Sequence, residues 1–331
     1  MTGSKPTIAI LGANGRLGRT VARAFADAGW RVRAITRSGR GDIAGVEYKA
    51  ADATVDKDLI EAARDCDFIF NGLNPKYANA EWKRLVMPLA RNVIAAAKAN
   101  GAVHLFPGNV YNFGTAIPEH PTEETRFVDD HAKAAVRIEA EALFEREARD
   151  AGVQTLVLRA GDFFGGDGRG SWFDLVIAKN IAKGSFTWPG PRDLVHAWAF
   201  LPDLASAFVR LAEHAGELPN FARFHFEGHN VTGEEMHAAA EAAVGRKLKS
   251  GSVPWWAIGI IGWVSPTMKA THEMAYLWHR PHRLTGEKLE AIIGPLPHTP
   301  LKQAVAEAIA DLGFEAKPAR AKPVRMDSLA A

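Results

Sequence analysis

Residues 7–18 read TIAILGANGRLG, an apolar run that opens directly into glycines at positions 12, 15 and 18 and continues as a helical stretch. The order strand, glycine turn, helix is the context in which this spacing indicates a dinucleotide site. We expect Gly12 to permit the tight turn, Gly15 to let the backbone approach a diphosphate, and Gly18 to pack the helix closely on the sheet. The helix start would bind the phosphates through its free N–H groups and its dipole.

The composition is that of an ordinary globular chain. Of the 331 residues, 47% are hydrophobic and 24% are charged, which leaves ample length for a large core. The net charge of +2 is small, and lysine and arginine are spread along the chain, so we expect no nucleic-acid partner. A single cysteine, Cys66, and an N-terminus without an apolar signal segment predict a cytoplasmic protein.

Strand-like and helix-like segments alternate through the first half of the chain. The predicted strands are Thr7–Leu11, Arg31–Thr36, Val46–Ala50, Asp67–Phe70, Ala102–Phe106 and Val153–Leu158. The predicted helices after the first are Asp56–Arg64, Trp82–Ala99 and Asp129–Asp150. This alternation predicts an α/β fold, a Rossmann-type doubly wound parallel sheet with helices on both faces.

The alternation of strand-like and helix-like segments becomes less regular after residue 160. We predict an NADP(H)-binding domain over residues 5–160, a smaller α-rich substrate lobe over residues 161–315 with some chain returning to the first domain, and a disordered tail over residues 316–331. The predicted elements of the lobe are helices at Trp172–Lys183, Pro202–His214, Gly233–Val244 and Pro300–Leu312 and a strand near Arg223–Phe226. Thr232 and Glu235 form a capping-box pattern at the start of the third of these helices.

The most apolar stretch of the chain runs from Val253 to Ser265. It is well short of the roughly 20 residues needed to span a bilayer, and it lacks the basic face of an interfacial helix. We therefore expect a buried helix or a hydrophobic lid, and no membrane partner.

The end of the second predicted strand bears on the choice of cofactor. An NAD site places an acid there, but the sequence reads Ile35-Thr36-Arg37-Ser38. Arg37 is placed to stack on adenine and to pair with a 2′-phosphate, and Arg16 in the glycine turn is placed to reach the same group. This favours NADP(H) over NAD(H), whereas the alternative is that Arg37 is a solvated loop residue.

The order of the motifs resembles the extended and atypical branches of the short-chain dehydrogenase/reductase superfamily. The matching pieces are GANGRLG at 12–18, ADAT at 51–54, NGL at 71–73, NVY at 109–111, HAWAFLPDLA at 196–205, LTGEKL at 284–289 and TPL at 299–301. The resemblance implies a Rossmann fold and a nicotinamide cofactor, as in reductases, epimerases and dehydratases. The cofactor-binding residues that the motifs and the resemblance indicate are Gly12, Asn14, Gly15, Arg16, Leu17, Gly18, Arg37, Asp52, Ala53, Asn71, Gly72, Leu73 and Lys133.

The usual catalytic side chains of that superfamily are missing. They are a Ser or Thr after strand five and a Tyr-x-x-x-Lys on the next helix, and the corresponding positions here are Pro107, Lys133 and Arg137. The spacing of Lys133 and Arg137 instead resembles the isoflavone-reductase-like branch. That resemblance implies NADPH, a small aromatic substrate and a catalytic lysine at position 133.

Two residues are candidates for proton transfer. Lys133 would need a pKa below its usual 10.4 to act as a base, and Arg137 one turn away, the oxidised nicotinamide and partial burial would all lower it. Lys133 could instead stay protonated and donate, or Lys133 and Arg137 could only bind ribose hydroxyls. Tyr111, which follows strand five at the carboxyl edge of the sheet, is the rival donor, with Asp130 and His131 as relays.

The candidate substrate residues are mostly aromatic and lie in the loops after strands five and six and beyond. They are Asn109, Phe163, Phe164, Trp172, Trp188 and His196. Such a set favours a small apolar or aromatic substrate over a highly charged one. The 12 histidines are scattered and suggest no metal site.

Three functions remain open at this point. The first is an NADP(H)-dependent oxidoreductase that transfers hydride to a small carbonyl, enone or benzylic substrate. The second is a nucleotide-sugar epimerase or dehydratase, in which Arg169 or Arg192 would bind the diphosphate. The third is a non-catalytic NADP(H) sensor, and in each case exposed helices would allow a homodimer.

Overall fold

The computed structural model describes residues 5–314. Its main sheet is parallel and has seven strands. The predicted tail at 316–331 lies outside these residues. The strands of this sheet are β1 (Thr7–Leu11), β2 (Arg31–Thr36), β3 (Val46–Ala50), β4 (Phe68–Asn71), β5 (Val103–Gly108), β6 (Thr155–Arg159) and β10 (Phe221–His225). Their spatial order is β10-β6-β5-β4-β1-β2-β3, which confirms the predicted α/β doubly wound fold.

Helices cover both faces of the sheet, because alternate residues of each strand point to opposite faces. In β1, Ile8 and Ile10 pack against one helical layer, and Ala9 and Leu11 pack against the other. The first layer consists of α1 (Arg16–Asp27), α5 (Leu201–Glu213) and α9 (Glu287–Ile293). The second layer consists of α2 (Asp56–Ala62), α3 (Asn79–Asn100) and α4 (Ala132–Ala151).

The chain that follows residue 161 contributes both to the seven-stranded sheet with its helices and to the rest of the fold. Strand β10 pairs in parallel with β6 and forms one edge of the first sheet, and α5 packs against α1. The remaining strands are β7 (Asp162–Phe164), β8 (Ser185–Trp188), β9 (Val195–Phe200), β11 (His229–Thr232) and β12 (Lys249–Ser252). The remaining helices are α6 (Gly233–Val244), α7 (Trp255–Ile261), α8 (Pro266–His272) and α10 (Leu301–Ala310).

The helix predicted at Trp172–Lys183 is wrong. The chain there forms a wide π turn at Phe173–Ile177 and a 3-10 turn at Ile181–Lys183. The carboxylate of Asp174 accepts from the N–H groups of Gly170 and Ser171, so the segment is tied back onto the preceding glycine loop and does not continue as a regular helix.

Of the two alternatives predicted for residues 253–265, the buried helix is wrong, whereas the hydrophobic lid stays a prediction. No residue of α7 is buried, and α7 and α8 form an exposed hairpin that covers one end of the cleft. Hydropathy is the same whether an apolar face packs inward or faces water, so the sequence pattern could not distinguish the two. No helix within residues 5–314 combines the length and the apolar character that crossing a bilayer requires.

Candidate active site

Three glycines bring the ends of β1 and β4 together at the switch point of the sheet. Gly12 has a φ of +75°, and a Cβ there would lie 2.6 Å from the carbonyl oxygen of Gly72. A Cβ on Gly72 would lie 2.6 Å from the carbonyl oxygen of Leu11, and one on Gly18 would overlap the Gly12 carbonyl. Only glycine fits these positions, and the cradle they form lies where dinucleotides bind in open α/β sheets.

The start of α1 is open to a ligand. The N–H groups of Arg16, Leu17 and Gly18 have no acceptor within the helix, the capping position is Gly15, and the first turn contains no acidic residue. Asn14 and Gly15 are exposed at the tip of the turn. This arrangement fits the diphosphate of a nicotinamide dinucleotide.

The side chain of Arg16 does not follow the sequence-based expectation. Its Nη1 pairs with Asp174 Oδ1 at 2.5 Å, and its Nε donates to the Gly165 carbonyl at 2.8 Å. The Asp174 carboxylate is buried and needs a countercharge, so it holds Arg16 against the glycine loop. The guanidinium is therefore not directed toward a 2′-phosphate.

Arg37 lies where an adenosine ribose would be recognised. It is exposed directly after β2, and it makes no ion pair within residues 5–314. Asp52 lies nearby, and its pKa is below its usual value because Thr54 donates two hydrogen bonds to it and Arg37 is close. The carboxylate of Asp52 is thus hydrogen-bonded to Thr54, whereas the guanidinium of Arg37 can bind an anion.

A cluster of tyrosines lies in the cleft at the carboxyl ends of β4 and β5. Three of the four tyrosines of the chain converge there, although they are far apart in sequence. Tyr77 Oη lies 3.4 Å from Tyr111 Oη, and Tyr276 Oη lies 3.0 Å from His131 Nε2. We call Tyr77, Tyr111 and Tyr276 the tyrosine cluster.

The tyrosine hydroxyls are protonated at neutral pH. Burial raises the pKa of Tyr111 to about 12, and the Asp162 carboxylate opposes its ionisation further. Burial also raises the pKa values of Tyr77 and Tyr276. Each hydroxyl can therefore donate a proton.

His131 is a neutral link to this cluster. Burial lowers its pKa, and its Nδ1 accepts from the N–H of Ala134 at 3.3 Å, which caps α4. Because one ring nitrogen of a neutral histidine accepts and the other carries the proton, Nε2 donates to Tyr276.

Lys133 lies beneath the tyrosine cluster. Its Nζ donates to Asn79 Oδ1 and to the Ala270 carbonyl, both at 3.1 Å, and lies 4.4 Å from the centroid of the Tyr77 ring. Burial lowers its pKa to about 8, with Glu273 opposing the shift. The lowered pKa was expected, and burial, one of the expected causes, produces it, whereas Arg137 does not contribute to the shift. The amine is fully buried and does not open into the cleft.

Arg137 is a buried cation whose contacts within residues 5–314 are mainly with aromatic rings. Its guanidinium lies 5.2 Å from the ring centroids of both Trp82 and Phe106, and its buried Nε has no acceptor within residues 5–314. Arg137 and Asn71 line the same small cavity. An orphaned donor at this place fits a ligand rich in oxygen acceptors, such as the second ribose of a dinucleotide.

Two of the predicted substrate residues are part of the core. Phe164 and Trp188 are fully buried in the apolar cluster of the second half, where they pack with Trp198 and Phe200. The expectation that they line a pocket is wrong, because aromatic residues after a strand look alike whether they face a cleft or a core. Phe163 packs on the cluster around α5.

The other three predicted substrate residues have different surroundings. Asn109 Oδ1 accepts from the N–H of Tyr111 at 3.1 Å and so fixes the turn that carries it. His196 is buried, pairs with Asp162 at 2.9 Å and stacks on Trp278. Trp172 is half-buried between Trp255 and Trp278.

Sequence reasoning missed Tyr77 and Tyr276. Tyr77 follows β4 by six positions, and this place at the carboxyl edge of the sheet is a signal that could have found it. Tyr276 lies in a 3-10 turn at Ala275–Trp278, far along the chain, and has no local signal. In the described part of the chain, no three His, Cys, Asp or Glu side chains converge to hold a metal ion.

The model of the NAD dependent epimerase/dehydratase family matches residues 8–224. No curated protein matches the chain.

Several solved structures share the fold at low sequence identity. The UDP-glucose 4-epimerase from Brucella ovis in complex with NAD has a TM-score of 0.75 at 13% identity, covering 94% of this chain and 100% of that one. The UDP-N-acetylglucosamine 4-epimerase from Bacillus cereus has a TM-score of 0.71 at 16% identity, covering 95% and 99%. The Bordetella bronchiseptica enzyme WbmH in complex with NAD+ has a TM-score of 0.72 at 16% identity, covering 95% and 100%.

Proposed function

Because the chain belongs to the NAD dependent epimerase/dehydratase family, we propose that it is an NADP(H)-dependent oxidoreductase acting on a small carbonyl, enone or benzylic substrate. The observation that carries the proposal is the protonated hydroxyl of Tyr111, half-buried at the carboxyl edge of the sheet with Tyr77 Oη 3.4 Å away. The cofactor supplies or accepts the hydride, and the protein supplies orientation and the proton.

Three groups of the cofactor have candidate partners among the described residues. The N–H groups of Arg16, Leu17 and Gly18 bind the diphosphate. Arg37 binds the 2′-phosphate through its guanidinium fork, which supports NADP(H) over NAD(H). Arg137, whose Nε lacks an acceptor, donates to the hydroxyls of the nicotinamide ribose.

Proton transfer is assigned to Tyr111. Its pKa of about 12 keeps the proton in place until negative charge develops on the substrate oxygen. Tyr77 donates to Tyr111 Oη and leaves the Tyr111 proton free for the substrate. Lys133 is then a positioning residue, since its ammonium packs on the face of the Tyr77 ring and is enclosed by Asn79 and Ala270.

The experiment compares wild type with Tyr111→Phe. We expect purified protein to consume NADPH with members of a panel of small apolar aldehydes, ketones and enones. Tyr111→Phe should lower kcat by about 10²–10⁴-fold and leave the Kd for NADPH unchanged. Undiminished turnover in Tyr111→Phe would remove the tyrosine from the mechanism, and NADPH binding without turnover on any substrate would favour the sensor.

The second candidate is a nucleotide-sugar epimerase or dehydratase. The family itself and the UDP-sugar epimerases among its structural neighbours favour it. Of the two arginines suggested for a diphosphate, Arg192 is bonded to Ser250 and His237, whereas Arg169 is exposed. An epimerase returns its cofactor unchanged, so net NADPH consumption separates the two candidates.

A further inference from the structure

The hairpin of α7 and α8 exposes a contiguous set of large apolar side chains. Trp263, Val264 and Trp256 are 92%, 87% and 74% exposed, and Ile260 and Ile261 beside them are also exposed. Soluble proteins rarely present an apolar patch of this kind unless it contacts a partner or a lipid surface. We call these five residues the apolar tip.

The apolar tip is not an unpacked end of the chain. Trp255 Nε1 donates to the Pro189 carbonyl at 2.5 Å, and its ring packs on Trp172. On the inner side of α8, Ala270 is fully buried and its carbonyl accepts from Lys133. The inner side of the hairpin is thus fixed to the cleft, and the fold leaves its outer side uncovered.

The chain segment that carries the apolar tip is rich in basic residues. From residue 245 to residue 283 the only acidic residue is Glu273, and it accepts from Asn79 at 2.5 Å. The basic residues of this stretch are Arg246, Lys247, Lys249, Lys269, Arg280 and Arg283. Of these, Lys247 pairs with Glu241 and Arg283 pairs with Glu119. The fold brings Lys269 back onto the tip, since its Cα would lie 3.1 Å from a Cβ on Gly262. The apolar run itself has no charge, so the sequence pattern did not reveal that Lys269 lies beside it.

We propose that the apolar tip docks the protein on the surface of an anionic lipid bilayer. Tryptophan is the side chain that prefers the boundary between headgroups and acyl chains, and Ile260, Ile261 and Val264 add apolar area to bury there. Lys249 and Lys269 would lie at the level of the anionic headgroups. The insertion is shallow and peripheral.

Docking would bring the cleft to the membrane. The hairpin that carries the tip also contributes the Ala270 carbonyl that holds Lys133, and the turn after it contributes Tyr276. An apolar substrate dissolved in the bilayer would then reach the tyrosine cluster over a short path. This last step rests on the proposed function, whereas the docking itself does not.

The test is co-sedimentation of the full chain with vesicles, without cofactor or substrate. We expect binding to vesicles of phosphatidylcholine with phosphatidylglycerol and weaker binding to phosphatidylcholine alone. Trp256→Ser combined with Trp263→Ser should weaken binding at least about tenfold. Lys249→Glu and Lys269→Glu should each weaken binding to the anionic vesicles by about fivefold or more and have little effect on neutral ones.

Val55→Ser is the matched control, because Val55 is an exposed apolar residue at the start of α2, away from the hairpin. It should bind vesicles like wild type, and unchanged circular dichroism spectra and urea unfolding midpoints in all variants would show that they fold. Absent vesicle binding, or equal binding by the tryptophan variant, would overturn the proposal. A dimer that the tryptophan variant loses, with no vesicle binding, would overturn it in favour of a second copy of the chain. Failure of the reductase assay would leave these outcomes unaffected.

Discussion

The hydroxyl oxygen of Tyr77 lies 3.4 Å from that of Tyr111, so a side chain that follows β4 meets one that follows β5 across the cleft. Their unequal environments assign them different tasks. The hydrogen bond with Tyr77 lowers the pKa of Tyr111 and so opposes the rise that burial causes. Tyr77 therefore adjusts the acid on which the proposed chemistry depends.

Tyr77→Phe should slow turnover by about tenfold to a hundredfold, because a hydrogen bond to a developing tyrosinate contributes about 1.5–3 kcal/mol. The pKa of Tyr111 should rise, so the high-pH limb of kcat should move to higher pH. Tyr48→Phe is the control, since Tyr48 lies on β3 outside the cleft. A loss of turnover without a shift in the pH profile of kcat would show that Tyr77 acts only through packing.

Arg37→Asp should weaken NADPH binding by about tenfold to a hundredfold, because it removes a charge-assisted contact and places a carboxylate beside the 2′-phosphate. NADH binding should change little or improve. Calorimetry with both cofactors measures this, with Arg40→Asp in the same exposed loop as control. Equal losses for the two cofactors would contradict the assignment of Arg37.

The pKa of about 8 at Lys133 makes a prediction about stability. The unfolded lysine has a pKa near 10.4, so between pH 8 and pH 10 the unfolded chain binds more protons than the folded one. The free energy of unfolding should therefore rise with pH across this window. Lys133→Met should lose that rise, whereas Lys76→Met, at an exposed position, should keep it. Urea titrations at several pH values measure the free energy of unfolding of each variant. The dependence on pH should be the same for wild type and Lys76→Met and flatter for Lys133→Met.

Gly18→Ala should destabilise the protein by about 1–3 kcal/mol and weaken NADPH binding, because the new methyl group overlaps the Gly12 carbonyl. Gly216→Ala is the control, since nothing lies within 4 Å of a Cβ there. Urea unfolding and calorimetry measure both effects. If the two variants were equally stable, position 18 would accept a methyl group, contrary to the overlap that the geometry predicts.

Asp174→Ala should cost about 3–5 kcal/mol of stability, since it leaves Arg16 without its countercharge in a largely buried place. The pKa of Asp174 is lowered by hydrogen bonds from Ser171 and Gly170 and by Arg16, against the effect of burial. Its contribution is therefore present above the unfolded pKa and is lost as pH falls through the folded one. Asp150→Ala, in an exposed pair with Arg149, should leave the free energy of unfolding nearly unchanged, because solvent screens such a pair.

Local features were predictable from the sequence, and long-range ones were not. The bounds of β1, β2 and β3 match the prediction, because buried strands next to turn residues are read directly from the pattern. The helix predicted at Gly233 begins there, since Thr232 Oγ1 accepts from the N–H of Glu235 only three residues away. By contrast, Arg16 meets Asp174 across 158 positions, and no window of sequence contains both residues.

The same distinction holds for the candidate site. Tyr111 and Lys133 were found because motifs place them at the carboxyl edge of the sheet and on the next helix. Tyr276 reaches the cluster only through the hairpin, whose path depends on tertiary packing. Phe164 and Trp188 were misassigned because burial of an aromatic side chain depends on what packs over it, which composition does not reveal.

The position of β10 has a consequence for how the protein is made. A ribosome must synthesise about two thirds of the chain before β10 and α5 emerge to complete the edge of the first sheet and cover α1. Until then the nascent chain exposes the unpaired edge of β6 and the uncovered face of α1, and both features promote aggregation. A fragment ending at residue 160 would lack both β10 and α5, so we expect it to leave that strand edge and that helix face exposed.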